Sequence, residues 1–130
     1  MPEHPNVETI RRGYELFNKG DMEALTELFA EDVVWHVPGR SSIAGDYQGR
    51  EATKAYFGRL DELTGGSYQA ELHVVVGNDE YAVSIDHSSA TRGEAGYDAD
   101  EVVVFRLSDG RVVEAWQALL SPYAHDEFFA

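Results

Sequence analysis

The stretch Val33-Val34-Trp35-His36-Val37-Pro38-Gly39, continuing through Ser41-Ser42-Ile43-Ala44-Gly45-Asp46-Tyr47-Gln48-Gly49, decides how this chain is read. It has the form of a short apolar strand that carries one imidazole, stops at Pro-Gly, and passes through a glycine-punctuated loop into a helix. Proline ends the strand because it has no N–H to give to a ladder. Alternation puts Val34, His36 and Pro38 on one face and Val33, Trp35 and Val37 on the other. Both faces are largely apolar, and this strand alone leaves open which one looks inward.

Two helices are expected before the strand. Val7, Ile10, Tyr14 and Phe17 recur at three- and four-residue steps with charged residues between them, and Asn18-Lys19-Gly20 ends the pattern. Asp21 can cap a second stripe of Met22, Leu25, Leu28 and Phe29. Behind the loop, Arg50 to about Leu63 reads as a third helix with Ala52, Tyr56, Phe57, Leu60 and Leu63 on one side. From Tyr68 onward the pattern alternates and is cut by Gly77-Asn78-Asp79, Gly93-Glu94-Ala95-Gly96 and Asp109-Gly110. The spacing predicts strands near 68–76, 80–92, 97–107 and 111–119 in an antiparallel meander, then a short helix opened by Ser121-Pro122. Helices first and strands afterwards indicate an α+β fold with helices on one face of the sheet. Val102-Val103-Val104-Phe105 is apolar on both faces, which calls for a second cover, expected to be another subunit.

Composition bounds the function. At 130 residues the chain is one domain, able to bury about two-thirds of its extended surface. The ten basic residues stand against twenty-four acidic ones, and the net charge of −14 repels phosphate backbones and anionic membranes. Nucleic acid and membrane are therefore not expected as partners. With no cysteine there are no disulfides or thiolate metal sites. Met1-Pro2-Glu3-His4-Pro5 lacks the basic-then-apolar form of a secretory signal, so a cytoplasmic protein is expected. His4, His36, His73, His87 and His125 are scattered without metal-site spacing, and there is no phosphate loop or nucleophile elbow; no metal and no cofactor are expected.

Three helices, then Asp32-Val33-Val34-Trp35-His36-Val37-Pro38-Gly39, then Gly45-Asp46-Tyr47-Gln48-Gly49-Arg50-Glu51, then a meander containing Asp109-Gly110-Arg111-Val112-Val113-Glu114-Ala115-Trp116, resemble the SnoaL-like proteins of the nuclear transport factor 2-like superfamily. The resemblance covers nearly the whole chain. It implies a cone in which three N-terminal helices pack on a curved antiparallel sheet around an apolar pocket, commonly dimeric through the sheet. It implies cofactor-free chemistry of the isomerase, cyclase or dehydratase type on a small apolar carbonyl compound, or binding of such a ligand without conversion. Similarity to the ketosteroid isomerases places a base at His36, an oxyanion-holding acid at Glu101 or the adjacent Asp100, and a donor at Tyr14.

Each candidate also has a plainer reading. His36 is a base or a strand histidine satisfied by a carbonyl. His87 shares parity with Tyr81, Val83 and Ile85, the bulkier face of its strand, and reads as a core histidine with a secondary claim on the ligand. Glu101, in parity with Val103, Phe105 and Leu107, is either at a solvated strand end or buried with a raised pKa. Phe17, Trp35, Tyr47, Tyr56, Phe57 and Trp116 are core residues that together suggest an aromatic-walled pocket. Gln117 offers a polar contact to a ligand carbonyl, and the Gly39–Gly49 loop is read either as the pocket rim with Tyr47 turned inward or as a surface loop with Tyr47 packed on the third helix.

Overall fold

A computed structural model describes residues 3–130. Met1 and Pro2, part of the segment read above for a secretory signal, lie outside the described residues. The elements run α1 (Pro5–Lys19), α2 (Met22–Glu27), β1 (Phe29–Val37), β2 (Gly45–Gln48), α3 (Arg50–Leu63), β3 (Gln69–Gly77), β4 (Tyr81–Arg92), β5 (Ala95–Ser108), β6 (Arg111–Leu119) and α4 (Pro122–Phe128). The expected helices form, except that α2 stops at Glu27 and Phe29, expected on its apolar stripe, opens β1 instead. Gly20, at φ 78°, closes α1 in the left-handed conformation, and the Asp21 side chain accepts the Ala24 N–H at 3.1 Å to start α2.

The strands form one curved sheet in the order β2-β1-β6-β5-β4-β3. The expected meander is β3 to β6, all antiparallel. Two features depart from the expectation. Part of the supposed loop, Gly45–Gln48, is a strand, since β2 pairs back on β1 with Trp35 opposite Tyr47 and His36 opposite Asp46. The opening strand then joins the sheet by running parallel to β6, with His36 opposite Trp116. Residues 38–44 thus turn the chain back onto the edge of the sheet.

The helices cover one face of this sheet, and the core lies between them. Val33, Trp35 and Val37 of β1 are buried, as are Val103, Phe105 and Leu107 of β5 and Val112 and Ala115 of β6. Trp35 meets Phe57 edge-on at 5.1 Å between ring centres, and Phe105 at 5.9 Å. The short α4 packs Phe128 and Phe129 against Tyr97. It is tied down by Ser42, which donates its N–H and hydroxyl to the Phe129 carbonyl, and by Arg92. Among the described residues no helix is long and apolar enough to cross a membrane.

Candidate functional site

The β4 strand decides what the inside of the cone is made of. Its buried face is Ala82, Ser84, Asp86, Ser88 and Ala90, whereas Tyr81 and Ile85 are exposed on the other. The bulk of the alternation faces outward and the small polar residues face the helices. Small side chains on the inner wall leave a cavity, with α1, α2 and α3 on one side and β1, β3, β4, β5 and β6 on the other. Tyr14, Phe17, Trp35, Tyr56, Phe57, Glu101 and Gln117 line it, as the sequence suggested, and so do Phe29, Tyr68, Asp86, Ser88 and Phe105.

Asp86 and Glu101 are direct cross-strand partners on β4 and β5 and are 3% and 2% exposed. Among the described residues, no lysine, arginine or histidine lines the cavity to balance them. Like charges opposite one another repel, and burial disfavours each charge, so the pair resists losing both protons. The two carboxyls are held differently. Asp86 accepts from the Tyr14 hydroxyl at 2.6 Å and from Ser88 at 2.8 Å, and Tyr14 also contacts Ser84 at 2.8 Å. Burial raises the Asp86 pKa while the two hydroxyls oppose the rise. Glu101 accepts from the Tyr97 hydroxyl at 2.6 Å. Its pKa is pushed up to about 7, chiefly by burial and further by Asp86, against the Tyr97 hydrogen bond and the nearby Gln117 amide. Burial and the Asp86 charge also hold the Tyr14 phenol protonated. Two carboxyls whose surroundings separate their proton affinities are the usual makings of an acid and a base.

Four of the expected site residues lie elsewhere. His36 is not in the cavity: with Val33, Trp35 and Val37 buried, strand alternation turns it to the outer face. There its Nδ1 meets Asp46 and its Nε2 meets Glu114, each at 2.7 Å, and it stacks on Trp116 at 5.6 Å. The two carboxylates, Asp46 first, raise its pKa. Trp116 is therefore on the outer face too. His87 is not a core residue: it sits on the outer face between Asp98 and Asp100, with Asp100 at 2.8 Å, and stacks on His73 at 6.2 Å. Tyr47 stacks on Tyr56 at 4.7 Å and donates to the Ile43 carbonyl at 2.5 Å. It packs behind the wall, and no residue of 39–49 or α4 lines the cavity, so that loop is not the rim. The sequence reading missed Asp86. Its one signal was the alternation of small or polar residues, Ala82, Ser84, Asp86 and Ser88, which marks a cavity wall as readily as a wet surface.

The SnoaL-like domain family matches residues 10–115. Bal32a, from a soil-derived mobile gene cassette, is 46% identical, with 97% of each chain covered and a TM-score of 0.94. An uncharacterised protein of Mycobacterium tuberculosis is 27% identical over 131 residues, covering the whole of both chains. IdmH of Streptomyces antibioticus, a proposed polyketide cyclase, is 24% identical over 88% of this chain and 91% of its own, with a TM-score of 0.74, and shares the fold.

Proposed function

The chain belongs to the SnoaL-like domain family, and from that premise we propose that it is a cofactor-free acid–base enzyme of the isomerase, cyclase or dehydratase type. Its substrate is a small apolar molecule bearing a carbonyl. The observation that carries this reading is the Asp86–Glu101 pair, buried face to face in an aromatic cavity. Asp86, whose ionised form two hydroxyl donors steady, takes the proton from the carbon beside the carbonyl. Glu101 supplies its proton to the oxygen on which charge develops, and reversal returns both protons. Tyr14 acts through Asp86 as a positioning residue rather than touching the enolate, and Tyr97 does the same for Glu101.

The likeness in fold to a proposed polyketide cyclase supports this class of reaction. The rival reading, a binding domain that holds the same ligand unchanged, is favoured by the fact that Tyr14 and Tyr97 already spend their hydroxyls on the pair. A homodimer through the outer sheet face belongs to the proposal as well, supported by exposed Val74, Val76, Tyr81 and Ile85. So does a cytoplasmic location.

The test is hydrogen–deuterium exchange at the enolisable carbon of β-tetralone, followed by NMR in heavy water. Asp86→Asn and Glu101→Gln are each expected to slow catalysed exchange by about 10²-fold or more. The wild-type rate is expected to fall as pH rises through about 7, because Glu101 then loses the proton it must give. Binding of β-tetralone with no exchange above the uncatalysed rate would leave the binding domain.

A further inference from the structure

A substrate oxygen needs a donor, and most of the hydroxyls in and around the cavity are committed elsewhere. Tyr14 gives its proton to Asp86, Tyr97 to Glu101, Ser88 to Asp86 and Thr9 to the Pro5 carbonyl. Besides the acid proton of the carboxyl pair, two donors remain among the described lining residues, the Tyr68 hydroxyl and the side-chain amide of Gln117, and of these the amide has its direction set by its neighbours. Gln117 Oε1 accepts from Trp35 Nε1 at 2.9 Å and from the Tyr56 hydroxyl at 2.8 Å. An indole nitrogen can only donate, so the amide oxygen must face Trp35 and the NH₂ group must face the other way. Gln117 and Glu101 line the same cavity, and the amide opposes the rise in the Glu101 pKa. The register fits, since Gln117 lies opposite Val103, two residues along β5 from Glu101.

We propose that Gln117, locked by Trp35 and Tyr56, is the second donor of an oxyanion site shared with Glu101, and that this site selects substrates presenting a hydrogen-bond acceptor at that point. One amide hydrogen braces Glu101 and the other meets the substrate oxygen. A donor-only group in the same place would leave the amide unpaired and be rejected. The inference rests on the acid–base reading above and refines its substrate class.

The probe is para-nitrophenol, whose ionised form carries an oxyanion on an apolar ring and is read by its visible absorbance. Nitrobenzene, which has the ring without that oxygen, is the control. Gln117→Met keeps the side-chain length and offers a sulfur to Trp35 and Tyr56 but no donor. It is expected to weaken nitrophenolate binding by about tenfold or more, as loss of a hydrogen bond to a charged group does, while nitrobenzene binding is unchanged. A merely structural role would lower both. Trp35→Phe keeps the ring and the amide but removes the donor that decides which way the amide points. Dividing the amide between two orientations weakens nitrophenolate binding by about twofold. Unchanged nitrophenolate binding in Gln117→Met, or an equal loss for both probes, would overturn the proposal. Unchanged affinity in Trp35→Phe would overturn the lock. If Gln117→Met binds normally while Asp86→Asn still stops β-tetralone exchange, the acid–base reading survives without the Gln117 role. If the wild type binds neither probe, the Gln117 proposal falls, and β-tetralone exchange still decides the acid–base reading.

Discussion

Glu101→Gln should make the protein more stable in mildly alkaline solution and erase part of its dependence on pH. Burial and the facing Asp86 push the Glu101 pKa from an ordinary 4.5 to about 7. Each pKa unit is worth about 1.4 kcal/mol, so the ionised form is disfavoured in the fold by roughly 3 kcal/mol. The sign follows from proton binding. Between 4.5 and about 7 the folded protein holds a proton that the unfolded chain has released, so stability falls as pH rises through that window. Below 4.5 both states are protonated and the penalty is absent; above about 7 it is fully present. Glutamine keeps the shape and an acceptor for the Tyr97 hydroxyl but carries no charge.

Urea unfolding of both proteins at mildly acidic and mildly alkaline pH isolates the effect, because the other carboxylates are common to both. The variant should be more stable than the wild type by up to about 3 kcal/mol on the alkaline side, with near equality on the acidic side. Identical pH dependence in the two proteins would refute the reasoning.

Other expectations follow from the same geometry. Tyr97→Phe removes the hydrogen bond that steadies the Glu101 carboxylate, so the high-pH limb of β-tetralone exchange should move to higher pH. His36→Ala should leave exchange unchanged because the imidazole faces away from the cavity; loss of activity there would put it back in the mechanism. Tyr47→Phe, losing one hydrogen bond to the Ile43 carbonyl, should cost about 1 kcal/mol in unfolding free energy without altering pH dependence. Gly39→Ala should destabilise by about 1 kcal/mol or more and raise amide exchange in α4. Gly39 has φ 98°, and a Cβ there would meet Asp126, whose Oδ1 also accepts the Arg40 N–H.

Much of the fold was legible because its elements have strong local signals. The α1 stripe, the Asp21 cap, the Asp109-Gly110 turn and the alternation after Tyr68 all placed elements close to where they lie. Glu101 was legible only in part: parity with Val103, Phe105 and Leu107 left it either solvated at a strand end, the reading the pattern favoured slightly, or buried with a raised pKa, and it is buried. What alternation cannot supply is which face looks inward. Bulk at Tyr81, Val83 and Ile85 argued for the core, yet a cavity wall is built from the small polar residues opposite, and the bulk lies outside. The same ambiguity put His36 and His87 in the site and left Asp86 out. The β1–β6 parallel pairing was illegible for another reason: it joins residues far apart in the chain and leaves no local trace.

The most direct test of the Asp86–Glu101 site is a carbon-13 NMR titration of the two side-chain carboxyls in the wild-type protein. The expected result is that Glu101 loses its proton near pH 7, and that Asp86→Asn, by removing the facing charge, moves that midpoint down. A Glu101 midpoint at its ordinary 4.5, unmoved by Asp86→Asn, would contradict the account.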